Sequence, residues 1–308
     1  MSKLERYQKI NGSYRKTLVF HLGVDAGFFS EVNNMVLAMF YCLSNRIRFS
    51  LYDRDAWFGK EGWETFFEPF CRTVKTPVHR KINTRMGQPV DKFHRYITRK
   101  RYKLLHPKVY LTHELWNRFR DTEMTLQTFS VPELVIKGNL REGCGNLIDM
   151  IWKYNPETRA GVTNLVRQIG LTEKYIGFHI RGGDKFQEDQ LHPVADYFDK
   201  AVQISGCRTA FVLTDDYRII ETIREMYPEW KIYTLCRPQE QGYYHQEFMQ
   251  RDKTLIRQQT LRLLASTDIL TRAEYFIGTF SSNPGMFMGM RMEAEQCIDV
   301  DGREWLIW

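Results

Sequence analysis

Long apolar runs are missing from this chain of 308 residues. No stretch approaches the ~18 consecutive apolar residues that a membrane-spanning helix needs. The first residues, MSKLERYQKINGSYRK, also contain no apolar core of the length found in signal peptides. We therefore expect no membrane span and a cytoplasmic protein.

Paired cysteines are also missing. The six cysteines, at positions 42, 71, 144, 207, 236 and 297, are far apart and form no Cys-x-x-Cys motif. This spacing excludes the common zinc-site patterns and the dense disulfide framework of small secreted domains. No metal site is predicted from the cysteines.

Neither sign of charge dominates. The chain has 44 Lys and Arg against 37 Asp and Glu, a net charge of +7. An excess of this size favours anionic ligands but no dedicated nucleic-acid surface, so nucleic acid is not an expected partner. The densest basic segment, 94–108, is interpreted as a solvated face; a face that binds phosphate or an acidic glycan is the alternative.

The apolar pattern that is present predicts an α/β protein. A strand at 17–22, a helix at 28–43 and a strand at 46–52 form a βαβ unit, which implies a parallel sheet. The second half alternates strand and helix, which predicts a doubly wound parallel sheet. Its strands are expected at 175–180, 209–213, 231–235, 275–279 and 296–300, and a helix is expected from Pro193. Before it, a short strand is expected at 134–136 and a helix at 146–154. We place a domain boundary near 160, which gives domains 1–160 and 161–308.

Polar residues gather in the segment 175–193, YIGFHIRGGDKFQEDQLHP. It begins as a buried strand and then releases the chain at Gly182 and Gly183. Ligands of open α/β sheets bind outside the carboxyl ends of strands, so this is a candidate site. Arg and Lys beside glycine backbone suit a phosphate, and the nearby carboxylates could accept a proton.

The order of these residues resembles a known family. The run from His179 to Lys185, HIRGGDK, is followed by Glu188 and then by His192-Pro193. It is similar to the His-Val-Arg-Arg-Thr-Asp-Lys…Glu…His-Pro segment of the α-1,6-fucosyltransferases, which include bacterial nodulation fucosyltransferases. Residues 59–70, GKEGWETFFEPF, resemble that family's Gly-Gly-Trp-Glu-Thr-x-Phe-x-Pro stretch. FVLTDD at 211–216 and FIGTFSS at 276–282 resemble its strand ends Ala-Thr-Asp-Asp and Cys-Thr-Phe-Ser-Ser.

This resemblance implies a GT-B-like fold, with two Rossmann-like domains facing a cleft. It implies an inverting, metal-independent glycosyltransferase that moves a sugar, L-fucose from GDP-fucose, onto a glycan hydroxyl. The nucleotide sugar is then a co-substrate and no cofactor is required. Domain 1–160 would hold the acceptor and domain 161–308 the nucleotide sugar. The membrane anchor, helical stem and SH3 domain of animal members are missing, which fits a bacterial, viral or protist enzyme.

The resemblance also suggests roles for the residues after the strand at 175–180. Arg181 would bind the diphosphate with its planar fork, and Lys185 could add a second positive charge. Glu188 is the candidate base when the motif is counted back from His192-Pro193. Asp189 takes that place when it is counted forward from Lys185.

Further candidates for binding the nucleotide sugar come from the other matched segments. Asp215 and Asp216 could orient His179, Arg181 or a ribose, and Ser282 stands at the family's donor-binding position. Ser282 also leads into a helix whose amino-terminal N–H groups would form an anion site; helix capping is the alternative role for this serine. An Asp-Asp pair can also suggest a metal, but the resemblance implies no need for a cation. The remaining candidates are Asp184 and Gly27, the latter in the turn of the first βαβ unit.

Two positions depart from the family pattern. Gly182 replaces a second arginine, which removes one positive charge from the donor side. Ser266 stands where the family has an aspartate that reads guanine. Asp268 is the candidate substitute, although it points elsewhere on a regular helix. Another nucleotide sugar therefore stays open as the donor, such as GDP-rhamnose, GDP-mannose or UDP-xylose. A catalytically inactive module that binds a glycan or a nucleotide is the remaining alternative.

Overall fold

The computed structural model describes residues 1–23, 26–59, 61–84, 92–182, 191–244, 247–248 and 250–307. The chain divides into two compact units. The first comprises Met1–Asn155 together with Ile307, and the second comprises Pro156–Leu306. No helix in these ranges combines the length and the apolar character that a membrane span requires.

The first unit is built on a three-stranded parallel sheet with the order β2-β1-β3. Its strands are β1 (Lys16–His21), β2 (Ile47–Tyr52) and β3 (Val109–Leu111). Helix α2 (Phe28–Ser44), which is buried along most of its length, connects β1 to its parallel neighbour β2. This confirms the predicted βαβ unit.

A helix that the sequence pattern did not predict, α1 (Lys3–Ser13), precedes β1. Ser2 and Glu5 form a capping box at its start, each side chain bonding the other's backbone N–H. Only Tyr7 and Asn11 are buried, and the Asn11 amide exchanges two hydrogen bonds with the backbone of Phe49, at 2.9 and 2.7 Å. With only these two residues buried, the helix lacks the apolar stripe by which helices are recognised.

The rest of the first unit packs around a cluster of buried aromatic rings. Trp63 stacks on Phe67 with ring centroids 4.2 Å apart, and both are fully buried, which confirms their predicted packing role. The remaining elements are α3 (Val78–Ile82), α4 (Lys92–Leu105), α5 (Thr112–Phe119), α6 (Leu140–Ile151) and the antiparallel strands β4 (Phe129–Val131) and β5 (Ile136–Gly138).

Two predicted boundaries in this unit are wrong. A strand was expected at 134–136, but Leu134 ends a 3-10 turn and Val135 has a left-handed backbone, with φ of 57°. The strand begins only at Ile136. A helix was expected from position 146, but α6 begins at Leu140 because Asn139 and Glu142 form a capping box there.

The second unit contains a five-stranded, wholly parallel sheet with the order β10-β9-β6-β7-β8. Its strands are β6 (Ile176–Ile180), β7 (Thr209–Thr214), β8 (Lys231–Tyr233), β9 (Tyr275–Gly278) and β10 (Cys297–Asp299). Its helices are α7 (Pro156–Ile169), α8 (Val194–Ile204), α9 (Tyr217–Met226), α10 (Lys253–Leu270) and α11 (Asn283–Arg291). The predicted α/β architecture is confirmed.

Helices cover both faces of this sheet. Phe178 belongs to one core cluster with Phe198 of α8 and Ile223 of α9. Neighbouring positions of a strand point to opposite faces, and a Cβ on Gly177 would lie 2.8 Å from the Leu270 side chain of α10. The helix α8 begins at Val194, with Pro193 in extended backbone just before it, and not at Pro193 as predicted.

Candidate functional site

Arg181 lies at the carboxyl end of β6, where the sequence placed it. Its Nη1 donates to Oδ2 of Asp215, which follows the neighbouring strand β7, at 2.8 Å. The same carboxylate accepts the backbone N–H of Gly182 through Oδ1 and that of Tyr243 through Oδ2, each at 2.8 Å. The two side chains are 22% and 15% exposed. One carboxylate therefore joins the ends of two strands and orients the guanidinium.

The ring of Tyr243 completes the support of Arg181. The guanidinium carbon lies 5.3 Å from the ring centroid, within the range of a cation–π contact. The segment carrying this ring is fixed, since Gly242 donates to the Asp215 carbonyl at 2.9 Å and Tyr217 donates to the Glu240 carbonyl at 2.8 Å. No sequence motif marked Tyr243, because it lies in an irregular connection that only the fold brings to β6.

Asp216 points away from Arg181 although it follows Asp215 directly. Its side chain caps α9 by accepting the Arg218 N–H at 3.0 Å, and it also binds the Arg218 guanidinium. The hydrogen bond from Arg218 holds the pKa of the Asp216 carboxyl below its ordinary value. Of the two aspartates predicted to orient the site, the structure brings Asp215 alone to Arg181.

Gly182 has a steric reason to lack a side chain. An added Cβ would lie 2.9 Å from the Cβ of Asp216, which is closer than real Cβ atoms approach one another. The chain leaving β6 therefore passes against the turn between β7 and α9. The second arginine of the related motif cannot be accommodated at this position without a shift of that turn.

His179 and Ser282 lie next to each other below Arg181. His179 is buried in β6, and its Nδ1 is 3.5 Å from the Ser282 Oγ. That Oγ caps α11 by accepting the Gly285 N–H at 3.3 Å, and it donates to the Thr279 carbonyl at 2.8 Å. His179 and Ser282, two separate candidates from the sequence, thus lie beside each other at the ends of neighbouring strands.

Backbone N–H groups ahead of α11 bind an internal carboxylate. Phe280 and Ser281 donate to the two oxygens of Asp301 at 3.2 and 2.8 Å. An anion site formed by the amino terminus of this helix was one reading of the sequence. In the structure the Asp301 carboxylate is the anion that these two N–H groups bind.

The remaining candidate residues lie on other elements or outside the described residues. Ser266 is buried on α10, whereas Asp268, two positions further on, is half-buried on a different side of the helix. Gly27 precedes α2 in the first unit, and a Cβ there would meet nothing within 4 Å. Asp184, Lys185, Glu188 and Asp189 lie outside the described residues.

A polar cluster that the sequence did not reveal lies at the carboxyl end of β1 in the first unit. His21 Nε2 lies 3.0 Å from Asp55 Oδ2, and its Nδ1 binds the Asn83 carbonyl oxygen. Both neighbours, a carboxylate and a carbonyl oxygen, are acceptors for a ring N–H of His21. Beside it, burial lowers the pKa of His79 to about 4, and the charge of His21 adds to this effect.

No group of three His, Cys, Asp or Glu side chains with metal-binding geometry occurs within the part of the chain that the structure describes. The site described above contains the guanidinium of Arg181, the buried imidazole of His179 and the hydroxyl of Ser282. Such a set binds anions and polar ligands at the carboxyl edge of a parallel sheet.

Comparison with known proteins shows what the chain is similar to. No protein-family model matches the chain. An α-(1,6)-fucosyltransferase of Drosophila melanogaster is 28% identical over 98 residues, which cover 29% of this chain and 16% of that protein. The match thus spans only a small part of that curated relative.

Solved structures match nearly the whole chain. The NodZ α-1,6-fucosyltransferase soaked with GDP-fucose has a TM-score of 0.55 and 16% identity, covering 90% of this chain and 93% of that one. The POFUT1 complex with GDP has a TM-score of 0.50 and 12% identity, covering 92% and 98%. The fold is that of the GT-B fucosyltransferases, as predicted. In structure and in part of its sequence, the protein is similar to the α-1,6-fucosyltransferases.

Proposed function

We propose that the protein is a glycosyltransferase that moves a sugar from a nucleotide sugar onto a glycan hydroxyl, with inversion and without a metal ion. GDP-fucose is the favoured donor, because the NodZ crystal with the similar fold was soaked with GDP-fucose. The observation that carries the proposal is the placement of Arg181, which Asp215 and Tyr243 hold at the carboxyl end of β6.

Arg181 would bind the diphosphate of the donor and stabilise the charge that develops as the sugar leaves. A guanidinium has five N–H donors, so one group can bind a phosphate as well as a carboxylate such as that of Asp215. A hydrogen-bond donor that is already oriented before the substrate binds need not reorganise during the reaction, which is the basis of electrostatic catalysis. His179 and Ser282 would contact the donor from the neighbouring strand ends.

The acceptor hydroxyl must lose a proton as it attacks. Glu188 is the proposed base, with Asp189 as the alternative, and both follow Arg181 in the related motif. Asp184 and Lys185 would add contacts to the nucleotide sugar. Residues 1–160 would hold the glycan, and 161–308 the donor.

A turnover assay tests the proposal. The wild-type protein, given GDP-fucose and a panel of glycans, should release GDP and form a fucosylated product. Glu188→Gln should bind GDP as the wild type does but lose transfer by about 100-fold, as expected for removal of a general base. Asp189→Asn is the matched variant that separates the two candidates.

Three outcomes would count against parts of this account. GDP binding without transfer to any glycan would favour an inactive nucleotide-binding module. Transfer from UDP-xylose or GDP-mannose instead of GDP-fucose would change the donor but keep the reaction class. Normal transfer by both carboxylate variants would place the base elsewhere.

A further inference from the structure

Helix α10 carries a polar stripe on one side. Gln259, Arg262 and Ser266 follow one another at spacings of three and four residues, which places them on one face of a helix. Arg262 is 8% exposed and Ser266 is 3% exposed, and α10 packs against β6, β7 and α7. Burying a guanidinium beside a parallel sheet costs free energy unless its donors are satisfied.

Glu240, in the connection from β8 to α10, satisfies one side of this guanidinium. Arg262 Nη2 binds Glu240 Oε1, and Gln259 Nε2 donates to the same oxygen at 3.3 Å. The other oxygen, Oε2, accepts the Arg237 N–H at 2.8 Å. These three bonds hold the carboxylate in place, so its evident role is to fix Arg262.

The opposite nitrogen of Arg262 is left without a partner. Its Nη1 is buried, and no acceptor for it exists among the described residues. More than nine in ten buried polar groups in proteins have a partner, and an unmet bond of a charged donor is costly. An acceptor that arrives with a ligand would satisfy this donor.

Arg262 and Arg181 both contact the connection that follows β8. Glu240 binds Arg262, while Tyr243, three residues later, lies against the guanidinium of Arg181. Three residues of chain span at most about 10 Å. The backbone positions of Glu240 and Tyr243 are thus no further apart than about the length of a nucleoside. A ligand whose diphosphate meets Arg181 would then direct its base toward the connection that fixes Arg262.

We propose that Arg262 Nη1, assisted by the Ser266 hydroxyl one turn further along α10, donates to a carbonyl oxygen of the donor's base. The site then takes nucleoside diphosphates whose base presents a carbonyl there, such as guanine, hypoxanthine or uracil. Adenine and cytosine present an amino group at that position instead, so two hydrogen-bond donors would face each other. The inference rests on the proposed function and specifies its donor.

The same geometry also predicts that the site does not distinguish guanine from hypoxanthine. A carboxylate can accept a hydrogen bond from the 2-amino group of guanine, but Ser266 stands where the related motif has such a carboxylate. The Glu240 carboxylate is already bound by three partners, namely Arg262, Gln259 and Arg237. Inosine diphosphate lacks that amino group. It should therefore bind as tightly as GDP, within about threefold, because no charged bond worth ~1.5–3 kcal/mol is lost.

Calorimetric titration of the whole protein with GDP, IDP, UDP, ADP and CDP tests this. In the wild type, GDP and IDP should bind at least about tenfold more tightly than ADP, and UDP more tightly than CDP. Arg262→Lys keeps a charge for Glu240 but has no second nitrogen. It should weaken GDP about tenfold and bring the GDP-to-ADP ratio near one.

The matched control is Arg257→Lys, the same change at a half-exposed arginine of α10 that pairs with Glu157. It should leave every affinity unchanged. Wild-type binding of ADP as tight as that of GDP, or an unchanged base ranking in Arg262→Lys, would overturn the inference. If Arg262→Lys does not fold, the wild-type GDP-to-ADP ratio decides alone. Absence of binding by every diphosphate would instead overturn the proposed function.

Discussion

The carboxylate of Asp215 offers the sharpest perturbation of the site. Asp215→Asn keeps the shape of the side chain but removes its charge. Three donors converge on the carboxylate at 2.8 Å each, namely Arg181 Nη1 and the backbone N–H groups of Gly182 and Tyr243. An amide offers one acceptor oxygen and turns an NH₂ group toward the remaining donors, so at least one bond is replaced by an unfavourable contact.

The size of the effect follows from these bonds. A hydrogen bond to a charged group contributes ~1.5–3 kcal/mol, and the partial exposure of Arg181 and Asp215 reduces the contribution of their pairing. We therefore expect the free energy of unfolding to fall by about 2 kcal/mol. If the binding free energy of GDP falls by the same amount because Arg181 is less well oriented, GDP affinity falls about 30-fold.

Denaturant unfolding and calorimetric titration with GDP measure the two quantities. Asp252→Asn provides the control, since it makes the same change at an exposed aspartate that caps α10, where asparagine caps equally well. The control should bind GDP as the wild type does. Wild-type GDP affinity in Asp215→Asn would show that Arg181 does not depend on this carboxylate, and would refute the reasoning.

Three further predictions concern single residues. Tyr243→Phe should keep GDP affinity, whereas Tyr243→Leu should lower it two- to fivefold in the same titration, because the ring face is worth ~0.5–1 kcal/mol to the Arg181 cation. Gly182→Arg should lower the free energy of unfolding by ~1–3 kcal/mol, since its Cβ would press on Asp216; unchanged stability would contradict the steric argument. His79 has its pKa lowered from 6.5 to about 4, so the unfolded chain binds its proton first and stability should fall as pH drops from about 6.5 to 4, by up to about 3 kcal/mol. His79→Gln should flatten that part of the pH profile, and an identical profile would refute the assignment.

The sequence predicted the parts of the fold that follow from local periodicity. The alternation of strands and helices in the second half predicted the bounds of β6, β7 and β9 to within a few residues. Polar residues at the ends of these strands could be grouped because parallel neighbours end at the same edge of the sheet. The meeting of Arg181 with Asp215, and of His179 with Ser282, follows from that rule. These contacts require only the strand order.

The missed features depend on contacts between segments with no regular pattern. Tyr243 lies in the connection after β8, and nothing in its neighbours indicates that its ring will reach Arg181. The pairing of Arg262 with Glu240 joins a helix to the same connection. Such contacts are fixed by tertiary structure and not by local sequence, as is the attachment of α1 through Asn11.

The central claim is that Arg181 holds the diphosphate of a nucleotide sugar, and a comparison of GDP with guanosine tests it most directly. The wild type should bind GDP far more tightly than guanosine. In Arg181→Ala this advantage should largely disappear, because GDP affinity falls about 100-fold or more, as expected for losing a bidentate charged contact, while guanosine affinity is unchanged. Tight GDP binding by Arg181→Ala, with the full advantage over guanosine retained, would contradict the account.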